Sequence, residues 1–525
     1  MSKTFCLAPW IHAFQAPNGE RRLCCHAREF TKESITWSKE SSFEEYWNSE
    51  ALKKIRLQMK ERKAPQHECQ ACLSNEATLI RPLDSFNFAR NRESQLLEET
   101  QNDGRFNGLP LSLDYRVRNS CNLSCRTCNP LFSSKIEQKT KNLTLLHDNF
   151  DKDAAQKATL EWRQIVKEAP IESCYFAGGE ALIQPEHFKD LQILKETNEP
   201  KNIRLCYNTN LAFPLDNLLK RQSFYEDFHS VSLAVSIDGF GEVGEFIRDG
   251  LVWNRFYQNI EIVKKSSFLR LSQFDITLTL PTLIEIESLA QFLIDQEITY
   301  NLTQVLPGGY ATLLSPLIIP KLDLSQLLKE KIEKLRSLNS SFLLPMISFL
   351  ELILNTLSDE VPFSKEELIS SYSVATAMDK NFERDGLASF YKRNEITKRA
   401  WENIEALYEE HIHQSLSEES LYWISFLKER GFQREKTYIH APLEQVPKSN
   451  SIVLTSYPSL LNKFLSSDHS KFETYDLLRT YPKQILGPFS YLFRRKSKLL
   501  SLANFLDGIT RPVRRLLAFH VIIKI

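Results

Sequence analysis

Three thiols stand in C-x3-C-x2-C spacing on one short stretch, Cys121-Asn122-Leu123-Ser124-Cys125-Arg126-Thr127-Cys128. Soft thiolates favour zinc, copper(I) or iron–sulfur centres over hard cations. Three of them on one loop can hold three irons of a cubane cluster and leave the fourth iron open. A second set is spread over the N-terminal region: Cys6, Cys24, Cys69 and Cys72. Asn18-Gly19 between two apolar stretches signals a hairpin turn, so Cys6 and Cys24 can face each other across it, with Cys69 and Cys72 closing the set. Four thiolates make a saturated site for iron–sulfur or for zinc. Cys25 points to the opposite side of a strand from Cys24, which disfavours it as a ligand. His12, His26 and His67 are nearby alternatives.

These thiols need elements to position them. The alternating run Leu111–Val117 reads as a strand, and the three-cysteine loop leaves its C-terminal end. Further strands are expected at Ser173–Phe176, Ile203–Tyr207, Val231–Ile237, Phe274–Leu280 and Thr299–Val305. Helices are expected at Asp153–Lys167, Pro185–Thr197, Arg255–Lys264 and Ile286–Asp295. Repeating βα units imply a parallel sheet wrapped by helices. The fold class is therefore α/β, and six units fit a partial, open (β/α)6 TIM-like barrel. Chemistry in such folds collects at the C-terminal ends of strands. Five polar or glycine-rich loops fall there: Cys121–Cys128, Ala177-Gly178-Gly179-Glu180, Asn208-Thr209-Asn210, Ser236-Ile237-Asp238-Gly239 and Pro307-Gly308-Gly309. Glycine is scarce elsewhere: eight of the fifteen lie between Gly178 and Gly309, where backbone must approach a ligand or take positive φ.

The chain has 525 residues, 42% hydrophobic and 25% charged, with formal net charge zero. This is an ordinary globular composition of two to four domains, and its neutrality gives no reason to expect nucleic-acid binding. The N-terminus lacks a signal-peptide layout and no apolar run is long enough to cross a bilayer, so a cytoplasmic location is expected. Eight of the ten cysteines lie within the first 128 residues; in a reducing compartment that clustering argues for metal rather than disulfides. Cys174 and Cys206 fall within strands and read as packing residues.

The core resembles a radical S-adenosylmethionine (SAM) enzyme. The three-cysteine loop is similar to that superfamily's cluster loop, and Gly178-Gly179-Glu180 to its GGE motif. Ser236-Ile237-Asp238-Gly239, followed by Phe246-Ile247-Arg248-Asp249-Gly250, resembles the fourth-strand region of the peptide-modifying subgroup. The N-terminal C-x12-G-x4-C and later C-x2-C resemble a twitch domain, the shortened relative of the SPASM domain, which holds an auxiliary [4Fe–4S] cluster. The resemblance implies that Cys121, Cys125 and Cys128 hold a catalytic [4Fe–4S] cluster whose open iron chelates SAM. It implies contacts to SAM from Gly178, Gly179, Glu180, Asn208, Ser236, Asp238 and Arg248. Reductive cleavage of SAM would then give a 5′-deoxyadenosyl radical that abstracts hydrogen from substrate. The substrate implied is a peptide or protein side chain, with a small molecule such as a sugar or biosynthetic intermediate as the alternative. The implied reductant is a low-potential donor such as flavodoxin or ferredoxin. Read from the residues alone, Gly178-Gly179 also suits a plain turn, Arg248 a surface ion pair and Asp238 a turn cap. A reading from another class is a non-catalytic iron–sulfur or zinc electron-transfer protein. Two departures stand out: Thr127 occupies a position often aromatic in the superfamily, and Leu211 one that is often glycine.

The organisation expected is an auxiliary iron–sulfur domain over 1–85, a linker with some helix over 86–108, the partial barrel over 109–310 and a mainly helical region of unknown role over 311–525. In the last region apolar periodicity predicts helices at Leu324–Leu338, Phe342–Leu357, Lys398–Ile412 and Glu419–Arg430, and short strands at Thr437–His440 and Ser451–Thr455. It is either a substrate- or partner-binding domain or a helical extension. Its end, from Arg494 to Lys524, interleaves basic and apolar residues. Such a run either touches an anionic membrane surface or forms the solvated face of a packed helix.

Overall fold

A computed structural model describes residues 5–27, 42–74, 82–140, 150–305 and 308–415, together with the strand residues 452–453 and 522–523. The chain divides into two compact units. The first comprises Met1–Gln138, Asp148–Pro307 and Leu314–Pro362; the second comprises Lys139–His147, Gly308–Leu313 and Phe363–Ile525.

The first unit is built on one sheet. Its strands are β1 (His12–Gln15), β2 (Arg21–Arg22), β3 (Ser112–Tyr115), β4 (Ser173–Phe176), β5 (Arg204–Thr209), β6 (Ser230–Ser236), β7 (Leu269–Leu278) and β8 (Tyr300–Gln304). Their order is β2-β1-β3-β4-β5-β6-β7-β8. Strands β3 to β8 are parallel to their neighbours throughout, and β2 and β8 do not pair with each other, so the six-unit barrel is open. The N-terminal hairpin does not stand apart from it. Strand β1 turns back antiparallel into β2, past Gly19 at φ 83°, and lies parallel to β3 in register His12↔Ser112. A 3.0 Å contact between His12 Nδ1 and Ser112 Oγ ties the two strands side chain to side chain.

Alternation explains the two faces of the sheet. In β5, Leu205, Tyr207 and Thr209 are buried while Arg204, Cys206 and Asn208 are half-buried. The buried row faces the helices: Tyr207 Oη lies 2.9 Å from Nε2 of His187 on the helix Pro185–Thr197. The half-buried row lines the concave inner face. Strand β7 starts five residues earlier than its apolar run suggested, at Leu269 rather than Phe274. Arg270, Ser272 and Gln273 break the apolar pattern there, and the register against β6 shifts between Leu233 and Ala234, a bulge that re-aims side chains.

Local signals account for the helices. Ser42 and Glu45 form a reciprocal capping box on Phe43–Trp47. Ser49 caps Glu50–Lys60, which buries Leu52, Ile55 and Met59. Asp151 caps Lys152–Glu168, and Pro185 opens Pro185–Thr197 at the position where its missing N–H costs nothing. The stretch after residue 82 is helical and packed: Phe86, Ala89 and Leu96 are buried, and Trp10 donates its indole N–H to Thr100 Oγ1 at 2.7 Å. Helices Lys321–Ser337 and Leu344–Thr356 belong to the first unit.

The second unit includes the helices Lys365–Asn381, Leu387–Tyr391 and Glu395–Ser415. Its buried polar centre is Asp379, which accepts from Tyr310 Oη at 2.8 Å and pairs with Arg384 at 2.8 Å. Strand Ile452–Val453 pairs antiparallel with Ile522–Ile523. The helix expected at Glu419–Arg430, the strand at Thr437–His440 and most of the basic end lie outside the described residues, as does Pro307. No helix among the described residues is long and apolar enough to cross a membrane.

Candidate active site

The three-cysteine loop leaves the C-terminal end of β3 and is clamped from two sides. On one side it reads the backbone at the C-terminal end of the helix Gly241–Ile247 and just after it, an element that the glycines of that stretch conceal in the sequence. Ser124 N donates to Asp249 O at 2.9 Å and Arg126 N to Ile247 O at 2.8 Å. Ser124 Oγ reaches Asp249 Oδ2 at 2.7 Å, and Arg126 donates to Phe246 O at 2.7 Å while its guanidinium lies 4.1 Å from the Phe246 ring centre. On the other side it meets the turn after β4. Gly179 N donates to Phe132 O at 3.0 Å and Glu180 N to Ser120 O at 2.7 Å. Gly178 and Gly179 have φ of 83° and 63°. A Cβ on Gly179 would lie 2.5 Å from Ser120 O, so only glycine lets these two backbones meet.

Glu180 is buried, and its carboxylate is held by the end of β5. It accepts from Thr209 Oγ1 at 2.9 Å and from the Asn210 backbone N–H at 2.8 Å. Burial pushes its carboxyl up to about 7, against these hydrogen bonds, which pull it down. Asn210 in turn donates to Asn122 Oδ1 at 2.9 Å and stands 3.8 Å from Cys121 Sγ. The next residue, Leu211, has φ 48°, a region that glycine occupies without strain; its side chain is fully buried.

At the ends of β6 and β7, Asp238 accepts from Thr277 N at 2.9 Å and pairs with Arg248 at 3.0 Å. Arg248 Nε and Asp238 Oδ2 are buried and make no hydrogen bond within the described residues. Asp238 Oδ2 already carries the ion pair to Arg248, which leaves Arg248 Nε as the buried polar atom still open. Ser236 Oγ donates to Asn208 Oδ1 at 2.8 Å, and Asn208 Nδ2 to Asp275 Oδ2 at 2.7 Å. The β5, β6 and β7 residues thus form one bonded row on the inner face.

The thiols of Cys121, Cys125 and Cys128 act on one another electrostatically, and Arg248 is the cation that acts on all three. Burial pushes all of them up, Cys128 to about 12, with Arg248 pulling the other way. Neutral thiols of this kind become ligands when a metal cation replaces their protons. The donor set fits an iron–sulfur cubane: three soft ligands on one rim loop, with a cation and a buried open polar atom beside them.

Cys6, Cys24, Cys69 and Cys72 together line a second cleft of about 460 Å³, solvent at its mouth included, with Leu23, Met59 and Phe86 among its apolar walls. His26 and Glu68 also border it. Cys72 N bonds back to Cys69 O at 3.0 Å, closing the C-x2-C turn. Burial raises Cys24 and Cys69, each also acted on by Cys6 and Cys72. Cys25 acts on Cys24 and is itself acted on by Asp114 and Arg116, on β3 and the loop after it; burial pushes its thiol up to about 12. Among the described residues no three His, Cys, Asp or Glu are grouped as ligands of a single metal ion; a cubane does not ask for that, because each thiolate binds its own iron.

Sequence reasoning missed the roles of Arg126, Asp249 and Asp275, and it placed Asn210 only as part of the rim loop Asn208-Thr209-Asn210. Asp275 was findable as the one acid inside the apolar alternation of β7. The roles of Arg126 and Asp249 depend on loop contacts with no local signature.

Residues 6–73 match the family model of SPASM, an iron–sulfur cluster-binding domain. None of the curated proteins matches the chain. Among solved structures, "Structure of TYW1 with a lysine-pyruvate adduct bound" has a TM-score of 0.23 at 10% identity, covering 52% of this chain and 72% of that chain, a likeness too slight to bear on the site. The SPASM match contains all four cysteines of the second cleft, and its hairpin is built into the edge of a parallel sheet with a three-cysteine loop and a Gly-Gly-Glu turn at the rim. Over residues 6–73, then, the chain is similar to the SPASM family of iron–sulfur cluster-binding domains.

Proposed function

We propose that this protein is an enzyme that cleaves SAM reductively and uses the radical on a peptide or protein side chain. The observation that carries the reading is the loop Cys121–Cys128, whose three thiols share one cation, Arg248, at the C-terminal rim of the parallel sheet. Cys121, Cys125 and Cys128 would hold a catalytic [4Fe–4S] cluster, which when bound supplies the electron that splits SAM into methionine and a 5′-deoxyadenosyl radical. The chain's own residues hold and shield the cofactor. Gly178 and Gly179 bring backbone to the rim, Glu180 fixes the Asn210 loop over Cys121, and Arg248 offers a guanidinium suited to a carboxylate. Asn208, Ser236 and Asp238 present hydrogen-bonding groups from the same rim.

Cys6, Cys24, Cys69 and Cys72 would hold the auxiliary cluster. With four thiolates that cluster has no open position, so its role is electron transfer, fed by or feeding a low-potential donor of the flavodoxin or ferredoxin kind. Peptide substrates are favoured because the Ser236–Gly239 and Phe246–Gly250 segments resemble those of peptide-modifying members. Electron paramagnetic resonance of the anaerobically reconstituted, reduced protein tests cofactor binding. SAM should change the cluster signal in the native sequence and leave the remaining signal of a Cys121/Cys125/Cys128→Ala variant untouched. A native signal indifferent to SAM would overturn the proposal.

A further inference from the structure

The inner face of the sheet carries three acids and two nearby arginines. Asp114 is chelated by Arg116 at 3.0 and 3.1 Å, and Asp238 is paired with Arg248 at 3.0 Å. Asp275, in the middle of β7, has no ion-pair partner among the described residues. Its donors are all neutral amides: Asn208 Nδ2 at 2.7 Å on Oδ2, Gln273 Nε2 at 2.7 Å on Oδ1, and Asn301 from β8. An ionised carboxylate has about four acceptor positions, so three donors leave one open.

The network also fixes direction. Asn208 must turn its amide nitrogen to Asp275 because a carboxylate only accepts, and its oxygen is then occupied by Ser236 Oγ at 2.8 Å. Asp275 is half-buried rather than sealed, like Tyr175, Cys206 and Asn208 on the same face. The other cations on that face, Arg204 and Arg270, sit toward the N-terminal ends of the strands; Arg204 is four residues below Asn208, about 13 Å by strand rise. Burial raises the Asp275 carboxyl, with Arg248 acting on it only at a distance. Held carboxylates that lack a counter-charge are costly unless a cation completes them.

We propose that Asp275 anchors the substrate, and that the group it binds is a cationic nitrogen: the ammonium or guanidinium of a lysine or arginine side chain. The assignment rests on the reading of this protein as a radical SAM enzyme acting on peptides, and it narrows that substrate class. Asn208, Gln273 and Asn301 are positioning residues, holding both carboxylate oxygens so that the free lone pair faces the concave side.

The test uses the full-length reconstituted protein and four probes: the Nα-acetyl methylamides of lysine, arginine, norleucine and glutamate. Binding is followed by ligand-observed NMR, in the native sequence and in Asp275→Asn and Asp275→Glu. At least one cationic probe should bind the native protein about tenfold or more tighter than norleucine, with glutamate weakest. Asp275→Asn should abolish that preference and Asp275→Glu keep it. Equal binding of the neutral probe, no binding of either cationic probe at millimolar concentration, or an unchanged preference in Asp275→Asn would each overturn the assignment. The probe comparison in the native protein stands even if a variant fails to fold. In parallel, the change that SAM causes in the cluster signal is compared between the native protein and Asp275→Asn; loss of that change together with the cationic preference would make Asp275 a cofactor contact, through Asn208, and overturn the assignment. Absence of 5′-deoxyadenosine in the native protein would strike the radical reading while leaving the binding result to be judged by itself.

Discussion

The carboxylate of Glu180 accepts the backbone N–H of Asn210 at 2.8 Å, and Asn210 in turn stands 3.8 Å from Cys121 Sγ. A side chain on the turn after β4 therefore sets a loop after β5, and that loop borders a thiol after β3. The glutamate joins three rim loops in addition to any contact with a ligand.

This relay carries a pH signature. The folded carboxyl titrates at about 7 against an ordinary value of 4.5. Between these values the folded state holds the extra proton, so stability falls as pH rises through the window. The buried His12 and His187, lowered to about 4 and about 3 by burial, act with the opposite sign: stability rises as pH rises toward 6.5. Comparison with Glu180→Gln cancels the histidines. Denaturant unfolding should show the native protein losing roughly 3 kcal/mol relative to this variant between pH 5 and 8; a constant difference would refute the buried-acid account.

Gly179→Ala should be severe. The substitution forces a side chain at φ 63° and puts its Cβ 2.5 Å from Ser120 O, next to Cys121. A loss of about 1–3 kcal/mol in stability is expected, with reduced iron uptake. Gly241→Ala is the control: φ is 53° but nothing lies within 4 Å. Its cost should be confined to about 1 kcal/mol of backbone strain. Equal effects in melting temperature and iron content would show that the contact with Ser120 does not matter.

Arg248 and Asp238 form a double-mutant square. Arg248→Gln alone leaves a buried carboxylate without its cation and should cost about 3 kcal/mol or more. Asp238→Asn in the same chain should recover much of that stability without recovering SAM binding. Additive losses in chemical denaturation would mean that the two groups do not depend on each other.

The six parallel strands, with their order of helices, were legible because β5 and β6 alternate strictly and Pro185 and Asp151 mark helix starts. The β7 start was hidden by the polar run Arg270–Gln273, and the helix Gly241–Ile247 by glycines, which oppose helix formation except where tertiary packing overrides them. The cysteines could be grouped from spacing. Sequence could not show that β1 joins the sheet beside β3, since that pairing spans about a hundred residues and has no local signature. The positive φ of Leu211 had one hint, a leucine standing where the superfamily that the chain resembles often has glycine.

The second cleft predicts an iron count. Anaerobically reconstituted native protein should hold about eight irons and eight sulfides per chain, and a Cys69→Ser/Cys72→Ser variant about four of each. Four irons in the native protein would remove the auxiliary cubane, and one zinc per chain at the cleft would replace it with a structural metal.

The most direct measurement is product analysis. Reconstituted protein incubated anaerobically with SAM and dithionite should yield 5′-deoxyadenosine and methionine in equal amounts, and the Cys121/Cys125/Cys128→Ala variant should yield neither. No 5′-deoxyadenosine from fully reconstituted native protein, or equal amounts from the variant, would contradict the assignment of the three-cysteine loop as the site of SAM cleavage.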